Sequence, residues 1–401
     1  MSLSRILTKK NLTILGLNSG TSADGLDMAA VRVVQGPSGR SFKLLRTSTK
    51  PYPAVLRRLI LGAVDGETMK LEEVVYLDNI LGRFYGSAAR DFMAKLPARM
   101  AIDAIASHGQ TIRHVPDEAR YAGYKVRGSL QVGSADFIAA ATGKIVVSDF
   151  RQADIALGNE GAPITVAAME ELFRNRDESR LIVNIGGISN YFYFPAFRSR
   201  RHVRAADCGP GNSLSDILTQ RLFGQKYDRF GRRARQGEPS VRLVSQLRKS
   251  PFYRGQTTST GRESFGQSMA SRIVDRGRGF GLSDHDLLAT AIELTAVSIA
   301  DRAKPLVRRD KMLSKLYLTG GGKHNIFLID RLSHYLSDLE IVPVDKLGID
   351  GDYVEAVAYA VMGEACLRSR AFRTSFGKAA DNSRQPVSGK ITQPPGYMKK
   401  R

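Results

Sequence analysis

Residues 12–25 read LTILGLNSGTSADG, an apolar run that ends in a turn of small and polar residues. Two more β-prone runs follow at Met28–Gln35 and Phe42–Thr47. Three short runs joined by tight connections predict an antiparallel meander. Apolar residues at helical spacing then predict helices at Ala54–Val64 and Leu71–Lys95.

The second half of the chain repeats this order. Residues 181–190 read LIVNIGGISN, which predicts two strands around the turn at Gly186-Gly187, and Val203–Ala206 predicts a third strand. Each half also contains a later buried strand, at Ala104–Ser107 in the first and at Lys315–Thr319 in the second. The repetition predicts two similar α/β lobes with a cleft between them. Ligand sites tend to lie where domains meet, so we expect the site in this cleft.

Further patterns complete the two lobes. Strands are also predicted at Leu130–Val132 and Ile145–Ser148, and helices at Ala135–Thr142, Gly266–Arg276, Asp284–Val307 and Asp352–Leu367. We therefore expect an N-terminal lobe at residues 1–175 and a C-terminal lobe at residues 176–370. Residues 371–401 are rich in Pro and Gly and hold seven Lys or Arg against one acid, which predicts a basic, irregular tail.

The formal net charge of +21 is the unusual property of the composition. Basic patches at Arg198–Arg204, Arg229–Arg235 and the tail would suit a nucleic-acid partner. However, the sequence has no Trp, its aromatic residues do not alternate with the basic runs, and it carries no nucleic-acid-binding motif. The pattern argues against nucleic acid and favours an anionic small ligand such as ATP.

The cysteine content and hydropathy indicate a cytoplasmic protein. The two cysteines, Cys208 and Cys366, are too few for a disulfide framework and favour a reducing compartment. No apolar stretch approaches the roughly 20 residues of a membrane-spanning helix. The apolar run Leu12–Leu17 is too short for the core of a signal peptide. We expect no membrane segment.

Four Gly-rich turns follow predicted strands. They lie at Gly16–Gly25, Asn184–Asn190, Asp207–Asn212 and Thr319–Gly322. Glycine lets the backbone approach a phosphate and turn its N–H groups toward it, and Ser and Thr hydroxyls add donors. Neither Gly-x-Gly-x-x-Gly nor the Walker sequence occurs, which argues against the Rossmann and P-loop classes. The four turns together fit a nucleotide held between two lobes.

Carboxylates beside these turns are candidates for binding Mg²⁺. Phosphoryl transfer needs positioned phosphates, a divalent cation and a group that orients the nucleophile. Mg²⁺ usually takes one or two carboxylates together with phosphate oxygens and water. The candidates are Asp24, Asp27, Asp207 and Glu355. Each of them could also serve only as a turn or capping residue.

Several longer motifs occur together. They are Leu15–Ser22 with Asp24-Gly25, Ser107–Thr111, Ser148–Arg151, Gly161–Pro163, Asn184–Asn190, Gly209–Asn212, Thr260–Glu263, and Gly320–Gly322 with Asn325. In this combination the chain resembles the anhydro-N-acetylmuramic acid kinases and their relative, fungal levoglucosan kinase, over residues 12–368. Asn18 and the tail segment Gly396–Lys400 resemble the levoglucosan branch.

The resemblance implies a fold, two cofactors and a reaction. The fold is the α/β, two-lobed actin-like ATPase fold of sugar kinases, hsp70 and actin, with RNase H-like lobes and a central cleft. The cofactors are ATP and Mg²⁺, and the reaction hydrolyses a 1,6-anhydro bridge while it phosphorylates O6 of the sugar. Asp207 matches the general base that takes a proton from the attacking water, a form of assistance worth about 10²–10⁴-fold in rate.

The resemblance also implies roles for the other residues of the motifs. The ATP-binding candidates are Gly20, Thr21, Ser22, Ala23, Asp24, Gly25, Leu26, Asp27, Gly186, Gly187, Gly209, Gly211, Asn212, Gly320, Gly321, Gly322 and Asn325. The substrate-binding candidates are His108, Gln110, Thr111, Arg151, Asp154 and Glu355, and the metal candidates are Asp27, Asp207 and Glu355. Structural roles stay open: His108 as a core histidine, and Arg151 as a partner of Asp149 or Asp154.

Three departures from the family pattern bear on specificity. Glu160 stands where the family has Gln, Cys208 stands where it has Thr, and Arg229–Arg235 replaces an acidic stretch. They leave Asp207 intact, and also Gly20–Asp27, which match the phosphate loop of the family. They leave open whether the sugar is a muramyl sugar or levoglucosan. The alternative function is a non-catalytic, basic binding protein on a kinase scaffold. Related kinases are often dimers, so a homodimer is compatible with the resemblance.

Overall fold

The structure is a computed structural model of the chain. It describes residues 3–20, 23–36, 39–66, 68–250, 252–253, 265–372 and 385–396. The chain divides into a first unit, Met1–Leu172 with Tyr353–Arg401, and a second unit, Phe173–Asp352. The first boundary lies three residues before the expected one at 175. The second differs from the expected boundary at 370, because the helix that begins at Val354 packs on the sheet of the first unit.

The first unit is built on a seven-stranded sheet in the order β12-β6-β4-β1-β2-β3, with β5 paired to β4. Its strands are β1 (Leu12–Ser19), β2 (Gly25–Gly36), β3 (Gly39–Pro51), β4 (Ala104–Tyr121), β5 (Tyr124–Val132), β6 (Ile145–Ser148) and β12 (Lys390–Thr392). Strands β1 to β3 form the predicted antiparallel meander, while β4 runs parallel to β1 and to β6. Every residue of β1 is buried, as expected for a central strand covered on both faces.

Helices cover both faces of this sheet. They are α1 (Leu3–Thr8), α2 (Ala54–Asp65), α3 (Leu71–Ala94), α4 (Ala135–Thr142), α5 (Gln152–Ala156), α6 (Val166–Phe173) and α12 (Val354–Leu367). Helix α12 packs against β1 at a distance that only glycine permits, since a Cβ atom on Gly16 would lie 1.8 Å from the Ala356 carbonyl oxygen. Gly363 makes a similar approach to Ala106 on β4. These two glycines fix the helix that carries Glu355.

The second unit has a five-stranded sheet in the order β11-β10-β7-β8-β9. Its strands are β7 (Ser179–Ile185), β8 (Ile188–Phe194), β9 (Arg204–Pro210), β10 (Leu313–Thr319) and β11 (Glu340–Pro343). Its helices are α7 (Asn212–Phe223), α8 (Val241–Leu247), α9 (Gln267–Arg278), α10 (Asp284–Arg309) and α11 (Ile326–Tyr335). Helix α10 begins at a capping box formed by Ser283 and Asp286, and it lines much of the core of this unit.

The two sheets share one topology. In each, three antiparallel strands (β1–β3 and β7–β9) are followed by two strands that extend the sheet in parallel from its first strand. This repetition confirms the predicted α/β fold class with two similar lobes. The central cleft stays a prediction. Because β1, β7 and β10 end where Gly-rich turns begin, the shared topology places those turns at the carboxyl edge of each sheet. The expected end of the next strand at Ser107 was wrong, since β4 continues through His108–Thr111 and pairs there with β5.

The tail is not irregular throughout, so that expectation was wrong for part of it. Residues 390–392 form β12, which pairs antiparallel with β6 and extends the sheet of the first unit. Local composition could not indicate this strand, because its partner lies more than 240 residues earlier in the chain. Residues 373–384 and 397–401 lie outside the described residues. Among the described helices, none has the length and apolar character needed to cross a bilayer.

Candidate active site

The turn after β1 is held by side-chain hydrogen bonds. Ser19, the last residue of β1, donates to Gln110 Oε1 at 2.5 Å and accepts from the Tyr52 hydroxyl at 2.8 Å. Gln110 is fully buried, and its amide nitrogen reaches the Gly20 carbonyl at 3.4 Å. Burial raises the pKa of Tyr52 to about 12, so its hydroxyl remains a donor. Gln110 thus supports the turn after β1, and its predicted contact with the sugar stays a prediction.

The predicted phosphate-binding residues of this turn differ in what they present. Thr21 and Ser22 lie outside the described residues. Ala23 closes the turn with its N–H bonded to the Gly20 carbonyl, in the left-handed region at φ +50°. Asp24 is half exposed and lies 3.6 Å from Arg57 Nε, whereas Leu26 is buried in the core. Gly25 allows β2 to approach the Lys50 carbonyl of β3.

Two of the predicted carboxylates lie on either side of Asn18. Asp27 is paired with Asn18 across β1 and β2, and it accepts a hydrogen bond from Thr49 at 2.6 Å. Glu355, at the start of α12, accepts from Asn18 Nδ2 at 2.8 Å. Desolvation raises the pKa of Glu355, while the Asn18 hydrogen bond and the nearby Arg151 charge act in the opposite direction. The structure therefore brings Asp27 and Glu355 to one end of β1.

Arg151 forms the centre of a second group of predicted residues. Its guanidinium donates to His108 Nε2 at 3.2 and 3.3 Å and to the Gly161 carbonyl at 2.8 Å. Because arginine has no acceptor, Nε2 must accept, which places the imidazole proton on Nδ1. Burial, followed by the Arg151 charge, lowers the pKa of His108 well below its usual value. The ring is therefore neutral, and it stacks on Tyr359 at 4.5 Å.

Asp154 and Thr111 support the walls of this region. Asp154 is buried and accepts hydrogen bonds from Asn159 Nδ2 at 2.9 Å and from the Gly161 N–H at 2.8 Å, so it orders its own loop. Thr111 Oγ1 accepts from Gln131 Nε2 at 3.3 Å. Glu160, the departure from the family pattern, is exposed on the same loop. These contacts give Asp154 a positioning role, and its predicted contact with the sugar stays a prediction.

In the second unit, three of the Gly-rich turns pack directly against one another. Backbone N–H groups of Gly211 and Asn212 donate to the carbonyls of Gly187 and Gly186 at 3.1 and 2.7 Å. The side chain of Asn212 donates to the Ile185 carbonyl at 3.0 Å.

The third turn of this group, Gly320–Gly322, lies against the first. A Cβ atom on Gly320 would lie 2.5 Å from Asn184 Oδ1, and one on Gly322 would lie 2.3 Å from Ile185 Cγ2. The structure therefore brings the three predicted nucleotide-binding turns of this unit together. The sequence showed the turns but not that they meet.

Asp207 lies on β9, two residues before Gly209 and opposite Asn190 of β8. Its side chain is partly exposed. Asn190 Oδ1 is buried and makes no hydrogen bond to any described residue. The neighbouring Cys208 is buried, and burial raises the pKa of its thiol far above the usual value, which leaves it neutral and unreactive.

Lys323 and Asn325 follow the turn Gly320–Gly322 and make structural contacts. Asn325 accepts from the Leu328 N–H at 3.1 Å and so caps α11, a structural role beside the predicted nucleoside contact. Lys323 is nearly buried and lies 3.1 to 3.4 Å from carboxylate oxygens of Asp345, Asp350 and Asp352. Sequence reasoning missed Lys323 and Tyr359. For Lys323, the sequence offered one local indication of a role in the site, its position directly after Gly320–Gly322.

Two of the predicted carboxylates have the chemistry that Mg²⁺ requires. Within the described ranges, no three His, Cys, Asp or Glu side chains come together as a metal-binding group. Mg²⁺ does not need such a group, because it usually takes only one or two carboxylates and fills its other positions with phosphate and water. Asp27 and Glu355 provide such hard oxygen donors at the end of β1, so they fit the ion.

Gly-rich turns at the carboxyl edges of two similar sheets, with carboxylates beside some of them, are the arrangement expected of a phosphotransferase. The family model for anhydro-N-acetylmuramic acid kinase matches residues 12–392. The anhydro-N-acetylmuramic acid kinase of Salinibacter ruber is 35% identical over 352 residues, which cover 87% of this chain and 89% of that protein. The kinase of the same name from Caldanaerobacter subterraneus is 32% identical over 392 residues, which cover 97% and 98%. The chain belongs to the anhydro-N-acetylmuramic acid kinase family.

Solved structures resemble the chain only distantly. The activator of the 2-hydroxyisocaproyl-CoA dehydratase from Clostridium difficile is 13% identical and covers 89% of this chain and 96% of its own, with a TM-score of 0.42. A likeness of this size says nothing about activity. Membership of the kinase family, in contrast, removes the alternative of a non-catalytic binding protein as the class of this chain.

Proposed function

We propose that this kinase uses ATP and Mg²⁺ to convert 1,6-anhydro-N-acetylmuramic acid into N-acetylmuramic acid 6-phosphate and ADP. The observation that carries the proposal is the position of Asp207. Its carboxylate lies on the strand that leads into Gly209–Gly211, and that turn packs against the two other Gly-rich turns of the same unit. We take this carboxylate as the base because it lies on the strand that leads into a turn suited to the phosphates of ATP.

The proposed reaction consumes one water molecule. Asp207 takes a proton from that water while the oxygen atom of the water attacks C1 of the sugar. The C1–O6 bond breaks, and O6 attacks the γ-phosphorus, which releases ADP. Mg²⁺, held by Asp27, Glu355 and phosphate oxygens, would neutralise the charge that develops on the transferred phosphoryl group. Asp207 was also predicted as a metal candidate, and that role stays a prediction beside its proposed role as base.

Arg151 supports a muramyl sugar as the substrate. A muramyl sugar carries a lactyl carboxylate, which levoglucosan lacks. Among the described residues, no ion pair joins Arg151 to a carboxylate: Asp149 pairs with Lys390, and Asp154 accepts hydrogen bonds from its own loop. A guanidinium held by His108 and Gly161 is ready to bind a carboxylate through charge-assisted hydrogen bonds. The names of the related kinases support the same substrate.

Oxygen labelling tests the reaction. The enzyme is supplied with ATP and 1,6-anhydro-N-acetylmuramic acid in H₂¹⁸O, and the products are analysed by mass spectrometry. We expect one ¹⁸O atom at C1 of the sugar phosphate and none in its phosphate group. Label in inorganic phosphate without a phosphorylated sugar would show simple ATP hydrolysis and would reject the proposal. Levoglucosan is run in parallel, and a higher kcat/KM for it would reassign the substrate.

A further inference from the structure

The C-terminal strand lies beside the loop that carries Arg151. In the pairing of β12 with β6, Lys390 is opposite Ser148 and Ile391 is opposite Val147. Ser148 ends β6, and Arg151 follows three residues later. The last described segment of the chain therefore borders the group of residues proposed to bind the sugar.

The Lys390 side chain reaches over the first residue of this loop. Its Nζ atom lies 2.6 Å from Asp149 Oδ2. Asp149 has a left-handed backbone conformation, with φ at +55°. Such a conformation is uncommon outside glycine, and it persists where surrounding contacts hold it. The ion pair from β12 is one contact that holds the loop in this turn.

Gly389, the residue before β12, packs closely against β6, the following loop and α12. A Cβ atom on it would lie 2.7 Å from Val147 Cγ1, 3.1 Å from Cys366 Sγ and 3.3 Å from Phe150 Cε1. Its φ of +119° also strains any other residue. The Cys366 thiol donates to the Gly389 carbonyl at 3.5 Å. Only glycine fits here, so the segment is closely packed on the loop.

A line of ring contacts leads from this segment to Arg151. The Phe150 ring, which a Cβ atom on Gly389 would contact, packs on Tyr359 with ring centroids 5.5 Å apart. Tyr359 stacks on His108, and His108 accepts hydrogen bonds from Arg151. All these side chains are buried or nearly so, except Arg151, which is partly exposed. A shift of β12 would therefore be passed on to the guanidinium.

We infer that Gly389 and Lys390 are positioning residues for Arg151, and that the C-terminal strand thereby sets the affinity for the sugar. The inference rests on the proposed function, because it takes Arg151 as a sugar-binding residue. The contacts given above for β12 are with β6 and the loop that follows it. Loss of β12 is expected to weaken sugar binding and to leave the phosphoryl-transfer step unchanged.

Steady-state kinetics of single variants of the full-length enzyme test the inference. Lys390→Ala is expected to raise KM for 1,6-anhydro-N-acetylmuramic acid about two- to fivefold, the range for loss of a largely exposed ion pair. Gly389→Ala is expected to raise it about tenfold, because the added methyl group displaces the strand. In both variants kcat and KM for ATP stay at the wild-type values. Lys390→Arg keeps the charge and is expected to restore the wild-type KM.

Controls separate this inference from the proposed function. Lys125→Ala removes a comparable ion pair, 2.9 Å from Glu118 on the β4–β5 hairpin, and is expected to change nothing. A wild-type KM for the sugar in both Lys390→Ala and Gly389→Ala would overturn this inference but not the proposed function. A fall in kcat of the same size in the two variants would have the same consequence. A wild-type enzyme without sugar-dependent ADP release would overturn the proposed function and this inference with it. Should Gly389→Ala fail to fold, Lys390→Ala decides, since its side chain is 71% exposed.

Discussion

The two units share their strand order, yet they hold their Gly-rich turns by different means. In the second unit the turns are joined through backbone atoms, as in the hydrogen bonds from Gly211 and Asn212 to the 186–187 carbonyls. In the first unit the turn after β1 has a backbone hydrogen bond from Ala23 to Gly20, but the side chains of Ser19, Gln110 and Tyr52 also hold it. The backbone-built site excludes a side chain at its glycines, whereas the side-chain-built site depends on particular hydroxyl and amide groups.

The difference extends to the roles proposed for each unit. The second unit supplies Asp207 and turns suited to phosphates, which any nucleotide carries. The first unit supplies Arg151 and His108, whose arrangement depends on ring stacking and side-chain hydrogen bonds. Under the proposed function, one topology would support a phosphate-binding site in the second unit and a substrate-selective site in the first. Substitutions in each unit should affect different kinetic parameters.

The largest effect is expected from Asp207→Asn in the second unit. Loss of the general base should lower kcat by about 10²–10⁴-fold, while KM for ATP and for the sugar changes little. ADP release in the presence of saturating sugar measures it. Asp330→Asn, which alters an exposed acid of the same unit, serves as the matched control and should keep full activity. Wild-type turnover by Asp207→Asn would remove Asp207 from the mechanism.

Gly211→Ala tests the backbone-built site. The new Cβ atom would lie 2.3 Å from the Gly186 carbonyl oxygen, so the two turns must separate. We expect the free energy of unfolding to fall by about 1–3 kcal/mol, and KM for ATP to rise with it. Gly128→Ala is the control, because a Cβ atom there meets nothing within 4 Å. Urea denaturation and ATP kinetics measure the two effects, and an unchanged KM for ATP would separate these turns from nucleotide binding.

Much of this arrangement could be predicted from the sequence, and the missing part has a common physical cause. The ends of β1, β7 and β10 and the turns after them are set by local apolar runs and glycines, so periodicity found them. The position of α12 on the first unit depends on Gly16 and Ala356, which are 340 residues apart, and no local pattern records such a contact. The same holds for β12 on β6 and for Tyr359 on His108.

Arg151→Met tests the selective site of the first unit. Loss of the charge-assisted hydrogen bonds to a lactyl carboxylate should raise KM for the muramyl sugar about tenfold, equivalent to about 1.4 kcal/mol. KM for levoglucosan, which lacks this carboxylate, should stay within about twofold of its wild-type value, since a difference of that size is only a few tenths of a kcal/mol. Arg58→Met, at an exposed arginine on α2, is the matched control. Equal losses for both sugars would show that Arg151 only supports the fold of the loop.

The smallest effect is expected from a partly buried carboxylate of the first unit that lies away from Asp207 and Arg151. Glu171 on α6 accepts from Arg40 at 2.7 Å and from Arg370 at 2.5 Å, and the buried Glu364 lies in the same cluster. Burial raises the pKa of Glu171 to about 7, and the Glu364 charge adds to the rise, although Arg40 opposes it.

A folded-state pKa above the usual value of 4.5 means that the native protein binds this proton more tightly than the unfolded chain. The stabilisation is complete below pH 4.5 and is lost as the pH rises through 7. With allowance for partial solvent screening, we expect the free energy of unfolding to fall by about 1–2 kcal/mol between pH 5 and pH 8. Glu171→Gln should flatten this dependence in urea denaturation at each pH, whereas Glu340→Gln, on the edge strand of the second unit, should leave it intact. Parallel pH profiles for wild type and Glu171→Gln would mean that the two arginines, rather than burial, control the ionisation of this carboxylate.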